Sequence, residues 1–178
     1  MKFNKQKFLA LSREKNKFAK AGKLFLFDEF KNKELTKYLS LLLDYICWNN
    51  RKDYLNVCDS FVHKKISLAQ FFDRFYSLRA LNFQTLRIWE TDVENQDGKF
   101  FIKLNETDFQ LNPESEKFSE IISCLHSAIE NSDFDTYLFL KNKFNDNKFN
   151  DIEQRKELFR REIEKYFLPV LHSYCQEP

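Results

Sequence analysis

Residues 58–75 have the sequence CDSFVHKKISLAQFFDRF, and this stretch decides the predicted fold class. Apolar side chains before His63 recur at the spacing of an amphipathic helix. The basic turn His63-Lys64-Lys65 follows, where two cations suit the negative end of the preceding helix dipole. Ser67 and Gln70 then form a capping box, whose side chains satisfy free backbone donors at the start of a second helix. The stretch therefore predicts a helical hairpin.

The composition extends this helical prediction to the whole chain. The chain has 178 residues, of which 43% are hydrophobic and 31% charged, a balance typical of one globular domain with a sizeable core. It contains 2 Gly and 3 Pro, too few for the many tight turns of an all-β fold or for a glycine-rich phosphate loop. Its apolar runs are too short to span a membrane. We therefore expect a mostly α, antiparallel helical bundle.

Apolar residues at helical spacing predict five helices, two of them in the hairpin. The abundant phenylalanines recur on these helical faces, so they are expected to fill the core rather than to form a base-stacking platform. Pro169 falls late in the last helix and should kink or interrupt it, because proline lacks a backbone N–H. The helices are predicted at about residues 32–49, 51–62, 67 to 81 or further, 112–131 and 150–171.

Residues 83–111 leave two alternatives open. The runs Arg87–Val93 and Lys99–Leu104 are rich in β-prone residues and flank Asn95-Gln96-Asp97-Gly98. An Asp-Gly pair between two such runs indicates a β-hairpin. The other interpretation is an irregular loop, so the bundle is expected to carry at most one small hairpin.

Charge divides the chain into two parts. We interpret residues 1–30 as a basic N-terminal arm and residues 31–178 as a helical bundle domain. Residues 1–23 hold eight basic residues and one acid, for a net charge of +7, whereas the remainder carries −5. Such an uneven distribution suggests different partners for the two parts. The arm is expected to be partly helical and partly disordered.

The arm is the first of two candidate binding surfaces. Its basic residues alternate with aromatic ones, a pattern that suits nucleic-acid phosphates or an acidic protein surface, and a solubilising tail is the alternative. Phe25, Phe27 and Phe30 would anchor the arm to the bundle. The basic candidates for partner binding are Lys2, Lys5, Lys7, Arg13, Lys15, Lys17, Lys20 and Lys23.

The acidic body is the second candidate surface. Its carboxylates could pair with a basic protein, and the alternative is that they are solvated faces or helix caps. The acidic candidates for partner binding are Glu90, Asp92, Glu94, Asp97, Glu130, Asp133 and Asp135.

No motif for catalysis, metal binding or cofactor binding stands out. His63, His126 and His172 are isolated from one another, and the four cysteines form no CxxC pair. Cys58 and His63 could meet across a helix turn, but the sequence places no third group to orient them. The cysteines are expected to be buried and to act as small apolar groups. We therefore predict no catalytic, cofactor-binding or metal residues, no cofactor and no enzymatic activity, and the oligomeric state stays open.

Residue usage also bears on the compartment. Phe, Lys, Asn and Tyr are abundant while Gly and Pro are scarce, a bias produced by A/T-rich codons. We expect a plastid-encoded protein of the chloroplast stroma, or otherwise a cytoplasmic protein of a low-GC bacterium. Residues 1–22 lack the apolar core of a secretory signal, and unpaired cysteines suit a reducing interior. A transit peptide is the alternative to a mature arm.

The turn also carries a resemblance to a protein family. Residues 61–71, FVHKKISLAQF, resemble the F-x-x-G-K-I-S-x-x-E-F turn of bacteriocin immunity proteins of the colicin D type. The family glycine is His63 or Lys64 here, and the family glutamate is Gln70. The later segments that are similar to this family's following helices are residues 118–129 and 151–159. The resemblance implies an antiparallel bundle whose acidic face blocks the basic active site of a toxin nuclease, but no toxin-contacting residue carries over from it.

Together these patterns predict a non-enzymatic protein-binding module of immunity-protein-like fold, whose acidic body binds a basic protein. The alternative is an accessory subunit of a plastid or bacterial ribonucleoprotein, or of another large complex, anchored through the basic arm. The two hypotheses differ in the sign of the surface that binds.

Overall fold

The computed structural model describes residues 3–94, 113–132 and 152–176 of the chain. Nearly all of these residues are helical, and they contain no β-strand. The mostly α fold class is therefore confirmed, and each predicted helix is found close to its expected position. In chain order the elements are α1 (Lys5–Lys20), a 3₁₀ turn (Leu24–Leu26), α2 (Glu29–Asn49), α3 (Arg51–Val62), α4 (Leu68–Glu94), α5 (Pro113–Asn131), α6 (Ile152–Glu162), a π-helical turn (Ile163–Phe167) and α7 (Leu168–Cys175).

The chain divides into two compact units. Unit 1 consists of Met1–Asn49 and Arg79–Lys117, and unit 2 consists of Asn50–Leu78 and Phe118–Pro178. Unit 1 therefore holds α1, α2 and the later part of α4, whereas unit 2 holds α3, the start of α4, most of α5, and α6 and α7. Each unit has its own apolar core, described in turn below.

Helix α1 supplies part of the core of unit 1, which corrects the interpretation of residues 1–30 as an arm outside the bundle. Phe8 is fully buried, and its ring centroid lies 5.5 Å from that of Phe3 and 6.2 Å from that of Tyr38. The apolar residues of α1 are outnumbered by polar ones, but Phe8 and Leu11 fall on one face, which packs inward. The core of unit 1 contains Phe8, Leu11, Leu35, Tyr38, Leu42, Ile46 and Trp89.

The core of unit 2 is built around an aromatic cluster. The Phe71 ring stacks on Phe61 with centroids 4.6 Å apart and lies 6.0 Å from Phe75. Arg160 covers the cluster, because its guanidinium carbon lies 4.7 Å from the Phe61 ring centroid and its Nε donates to the Phe61 carbonyl at 3.0 Å. The expectation that phenylalanine fills the core is confirmed for these residues. The largest fully buried side chains of unit 2 are Tyr54, Phe61, Phe71, Phe75, Phe118, Leu125, Ile163 and Leu171.

The predicted helical hairpin of residues 58–75 is confirmed in detail. At the end of α3, the Lys65 N–H donates to the Ser60 carbonyl at 2.8 Å and the Lys64 N–H to the Phe61 carbonyl at 3.1 Å, the bond pattern of a Schellman motif. At the start of α4, the Ser67 N–H donates to the Gln70 side chain at 2.9 Å, and the Gln70 N–H donates to the Ser67 hydroxyl at 3.2 Å. Both ends of the turn are therefore capped locally.

Lys64 occupies the left-handed position of the Schellman motif, with φ +59°. A side chain there is strained, and glycine is the usual occupant. We expect Lys64→Gly to raise the free energy of unfolding by about 0.5–1 kcal/mol, after the extra chain entropy of glycine is subtracted. The Lys64 ammonium lies 3.5 Å from Glu157, an exposed ion pair whose loss should cost little.

Urea denaturation would measure this change, with Lys64→Ala as the control. Alanine removes the same ammonium but keeps the β-carbon that causes the strain, so it should give no gain. Equal stability changes in the two variants would show that the left-handed backbone is not the cause.

Both interpretations of residues 83–111, the β-hairpin and the irregular loop, are wrong for residues 83–94, which are helical. Arg87–Val93 belongs to α4, which continues to Glu94. Asn82, Leu86 and Trp89 recur at helical spacing and lie on one face, where Asn82 and Trp89 are buried, so burial outweighs the β propensity of this run. The predicted second run, Lys99–Leu104, lies outside the described residues.

Pro169 interrupts the last helix, as predicted. The chain passes from α6 into a π-helical turn at Ile163–Phe167 before α7 begins, and the Leu168 N–H donates to the Ile163 carbonyl, five residues back. Proline has no N–H to donate to the residue four positions earlier, and its ring crowds that turn. The wider π turn accommodates both effects and allows Ile163, Leu168 and Leu171 to remain buried.

Candidate anion-binding surface

The exposed side of α1 carries a row of cations. Arg13, Lys17 and Lys20 are spaced by four and three residues, so they share one face of the helix, and all three are exposed. We call these residues the cationic face. The face lies opposite Phe8 and Leu11, which are buried. The helix therefore holds these three charges at a fixed spacing on its solvent side.

Other lysines of this region are used to hold α1 against α2. Lys7 forms an ion pair with Glu34 at 2.5 Å, and Lys31 forms one with Glu14 at 2.7 Å. The hydrogen bond that Lys7 donates to Glu34 raises the pKa of Lys7, and the one that Lys31 donates to Glu14 raises the pKa of Lys31. These lysines are structural, and Lys7 is less suited to a partner than the sequence pattern suggests.

Five basic residues near the end of α1 contrast with these pairs. Within residues 3–94, 113–132 and 152–176, they have no ion pair or hydrogen-bond partner through the side chain, and Glu14, the one acid in this segment, is already paired with Lys31. Lys15 is half-buried and the other four are exposed. The five residues are Arg13, Lys15, Lys17, Lys20 and Lys23. Of the remaining basic candidates, Lys5 lies partly exposed in the first turn of α1, and Lys2 falls outside the described residues.

Apolar side chains are exposed directly after the cationic face. Leu24, Phe25, Leu26 and Phe30, which we call the apolar tip, are 49%, 82%, 55% and 81% exposed. The prediction that Phe25 and Phe30 anchor the segment to the bundle is therefore wrong. Phe27 is half-buried, and its ring centroid lies 6.1 Å from that of Phe18.

Local sequence signals hold the apolar tip between α1 and α2. The chain leaves α1 through Gly22, whose φ of +68° is easily adopted by glycine. The Lys23 N–H donates to the Phe18 carbonyl at 2.9 Å. Asp28 then caps α2 by accepting from the Lys31 N–H at 2.9 Å. The tip is therefore attached to two helices that are themselves bound together by the ion pairs and the core.

Of the acidic candidates, Glu90 and Glu130 are the two whose side chains are described, and they belong to different units. Glu90 lies in unit 1, whereas Glu130 lies in unit 2, where it accepts from the Tyr76 hydroxyl at 2.5 Å and lies 3.4 Å from His126 Nε2. Asp92 and Glu94 belong to the last turn of α4, and no side-chain position is described for them. Asp97, Asp133 and Asp135 lie outside the described residues. The acidic binding surface therefore stays a prediction.

The Cys58 thiol, next to the hairpin turn, does not have the environment of a reactive cysteine. Cys58 is fully buried, and burial raises the pKa of its thiol to about 12, so the nucleophilic thiolate is scarce at neutral pH. His63 lies outside on the surface, where its Nδ1 is 2.9 Å from the Asp59 carbonyl oxygen. Within the described parts of the chain, no three His, Cys, Asp or Glu side chains are grouped to hold a metal ion.

Unit 2 contains an open cavity of about 350 Å³ between α5 and α6. Its two charged lining residues, Arg155 and Glu162, have opposite signs, so the lining carries no net charge that would select an ion. The lining residues are Ala128, Asn131, Ser132, Arg155, Leu158, Phe159 and Glu162. The cationic face in unit 1 therefore remains the strongest candidate for binding.

Among the residues described, no helix is long and apolar enough to cross a membrane. Comparisons of the chain with protein-family models, with curated proteins and with solved structures found no match.

Proposed function

We propose that this protein is a non-enzymatic binding module that holds a nucleic acid through the cationic face of α1, as an accessory subunit of a ribonucleoprotein complex. The observation that carries the proposal is that the three residues of the cationic face, Arg13, Lys17 and Lys20, share one exposed side of α1 and have no side-chain partner within the described residues. A folded protein commonly pairs such charges or spreads them, whereas a row on one face is the footprint of a phosphate partner.

The dimensions of the cationic face fit a phosphate backbone. Arg13 and Lys20 are seven residues apart, which corresponds to about 10 Å along the helix axis. One strand of a nucleic acid advances about 3.4 Å per phosphate along the helix axis, so the face spans about three phosphates. Lys23 extends the row beyond the end of α1. Contacts of this type fix position on the backbone without selecting a sequence.

The salt dependence of binding tests the proposal. We expect a labelled oligonucleotide to bind the full chain with a slope of log K against log salt of about −3, as roughly four phosphate contacts require. Combining Arg13→Gln, Lys17→Gln and Lys20→Gln should reduce the slope to about −1 and the affinity by at least about tenfold at low salt. Fluorescence anisotropy over a salt series gives both quantities.

A matched triple variant controls for net charge. Arg74, Lys117 and Lys165 are exposed residues outside α1, and changing them to Gln removes the same three charges. This control should keep most of the affinity and the steep slope. An equal loss in both triples, or no binding of any oligonucleotide at low salt, would reject the cationic face as the site. Binding of an acidic protein in place of every nucleic acid would also reject the proposal.

A further inference from the structure

We infer that the nucleic acid is single-stranded where it meets this protein, and that two unpaired bases stack on Phe25 and Phe30. This inference rests on the proposed function, since the cationic face supplies the contacts to the backbone. It adds a role for the apolar tip, which neither the core nor the ion pairs explain.

The exposure of the two rings is the first observation. Phe25 is 82% exposed and Phe30 is 81% exposed, the highest values for large apolar side chains among the residues described. Other phenylalanines of the chain, such as Phe8 and Phe71, are fully buried. A ring exposed to this degree offers apolar face area to a planar partner.

The second observation is that the backbone carrying the two rings is fixed by packing and by an ion pair. Phe27 between them packs on Phe18, with ring centroids 6.1 Å apart. The Lys31–Glu14 ion pair at 2.7 Å closes α1 against the start of α2, next to Phe30. A partner that binds here meets a surface that is already formed. Little of this protein's backbone has to be ordered on binding, which lowers the entropic cost of binding.

The third observation is the positive charge beside the rings. Lys23, which precedes Phe25 by two residues, has no side-chain partner within the described residues. Lys33 Nζ lies 5.9 Å from the Phe30 ring centroid, but it is paired with Glu29 at 2.7 Å, so Lys23 is the cation available to a phosphate. A cation next to exposed aromatic rings is complementary to a single strand, because the cation contacts the phosphate backbone and the rings stack on the bases. A duplex hides the faces of its bases, so only unpaired bases could use these rings.

Charge complementarity favours a nucleic acid over an uncharged apolar partner. Stacking on one aromatic side chain is worth about fivefold to hundredfold in affinity and tolerates any base. We therefore expect the protein to bind a single strand at least about tenfold more tightly than a duplex of the same sequence. The slopes of log K against log salt should be similar for the single strand and the duplex, since the same cations contact both backbones.

The test changes the rings without changing the charge. In the double variant Phe25→Leu and Phe30→Leu, the side chains stay apolar but lose their planar faces, and single-strand affinity should fall by at least about tenfold with the salt slope unchanged. Leu24→Ala with Leu26→Ala is the matched control, because it removes apolar surface from the same tip; it should cost less than about threefold. Quenching of 2-aminopurine in the strand reports stacking directly.

The outcomes separate this inference from the proposed function. If the triple charge variant abolishes binding while single strand and duplex bind equally and the ring variant has no effect, the proposed function stands and the stacking inference is overturned. If the leucine control costs as much as the ring variant, or if vesicles of anionic phospholipid bind better than the strand, the tip is an apolar docking surface and stacking is overturned as well. If nothing binds, both fail.

Discussion

Replacing Phe71 with alanine is expected to lower the free energy of unfolding of unit 2 by about 3–5 kcal/mol. Phe71 is fully buried, stacks on Phe61 and contacts Phe75 and Phe159, whose ring centroids lie 6.0 and 6.1 Å away. Alanine would leave a cavity at the point where α3, α4 and α6 meet, and every neighbouring ring would lose contacts. Amide hydrogen exchange of α3 and the start of α4 measures the loss where it occurs.

Phe72→Ala is the control for this substitution. Phe72 is the next residue of the same helix and has the same side chain, but it is only half-buried. Its removal should cost no more than about half as much, because less apolar surface is returned to water. A loss below about 1 kcal/mol for Phe71→Ala would contradict the arrangement of the aromatic cluster.

The helical hairpin could be predicted because the signals that define it are local. Ser67 and Gln70 cap α4 with bonds that span three residues, and Pro169 acts on the single turn before it. Such features depend on the chain nearby and not on distant packing.

The wrong predictions concern features that depend on packing against distant parts of the chain. Arg87–Val93 has β-prone residues, yet it is helical because Trp89 is needed in the core of unit 1, and that need is set by α1 and α2. The charge of the N-terminal segment dominates its composition and predicts an arm, whereas the buried Phe8 and Leu11 place α1 in the core. Charge describes the solvent side of a helix and gives no information on its buried side.

The candidate site was predictable in part. The sequence identifies Arg13, Lys17 and Lys20 by their sign and spacing, but pairing decides which cations are available, and pairing depends on where Glu14 and Glu34 lie. The exposure of Phe25 and Phe30 could not be predicted, because sequence does not distinguish a ring that anchors from one that is presented to a partner. The Phe27 ring packs on Phe18, whereas the rings of Phe25 and Phe30 on either side of it are exposed.

Phe8→Ala is expected to lower the free energy of unfolding of unit 1 by about 3–5 kcal/mol. Phe8 is fully buried between Phe3 and Tyr38 in the core that also contains Trp89. An arm outside the bundle would tolerate this change, so the substitution tests whether α1 is part of the core of unit 1. The chain has 2 Trp, Trp48 and Trp89, and both lie in unit 1, so tryptophan fluorescence during urea denaturation reports this unit.

Phe30→Ala is the matched control, since the same ring is removed from the same unit at an exposed site. Its effect should stay within about 0.5 kcal/mol. A large loss for Phe8→Ala and a negligible one for Phe30→Ala would mean that α1 has two separable roles, a buried face that folds unit 1 and an exposed face available to a partner. It would also mean that deletion of residues 1–23 cannot test binding, because the deletion removes a core side chain together with the cations. Similar small effects in both variants would mean that the N-terminal segment is an arm outside the core. The backbone that carries Phe25 and Phe30 would then not be fixed, and the stacking inference would lose that support.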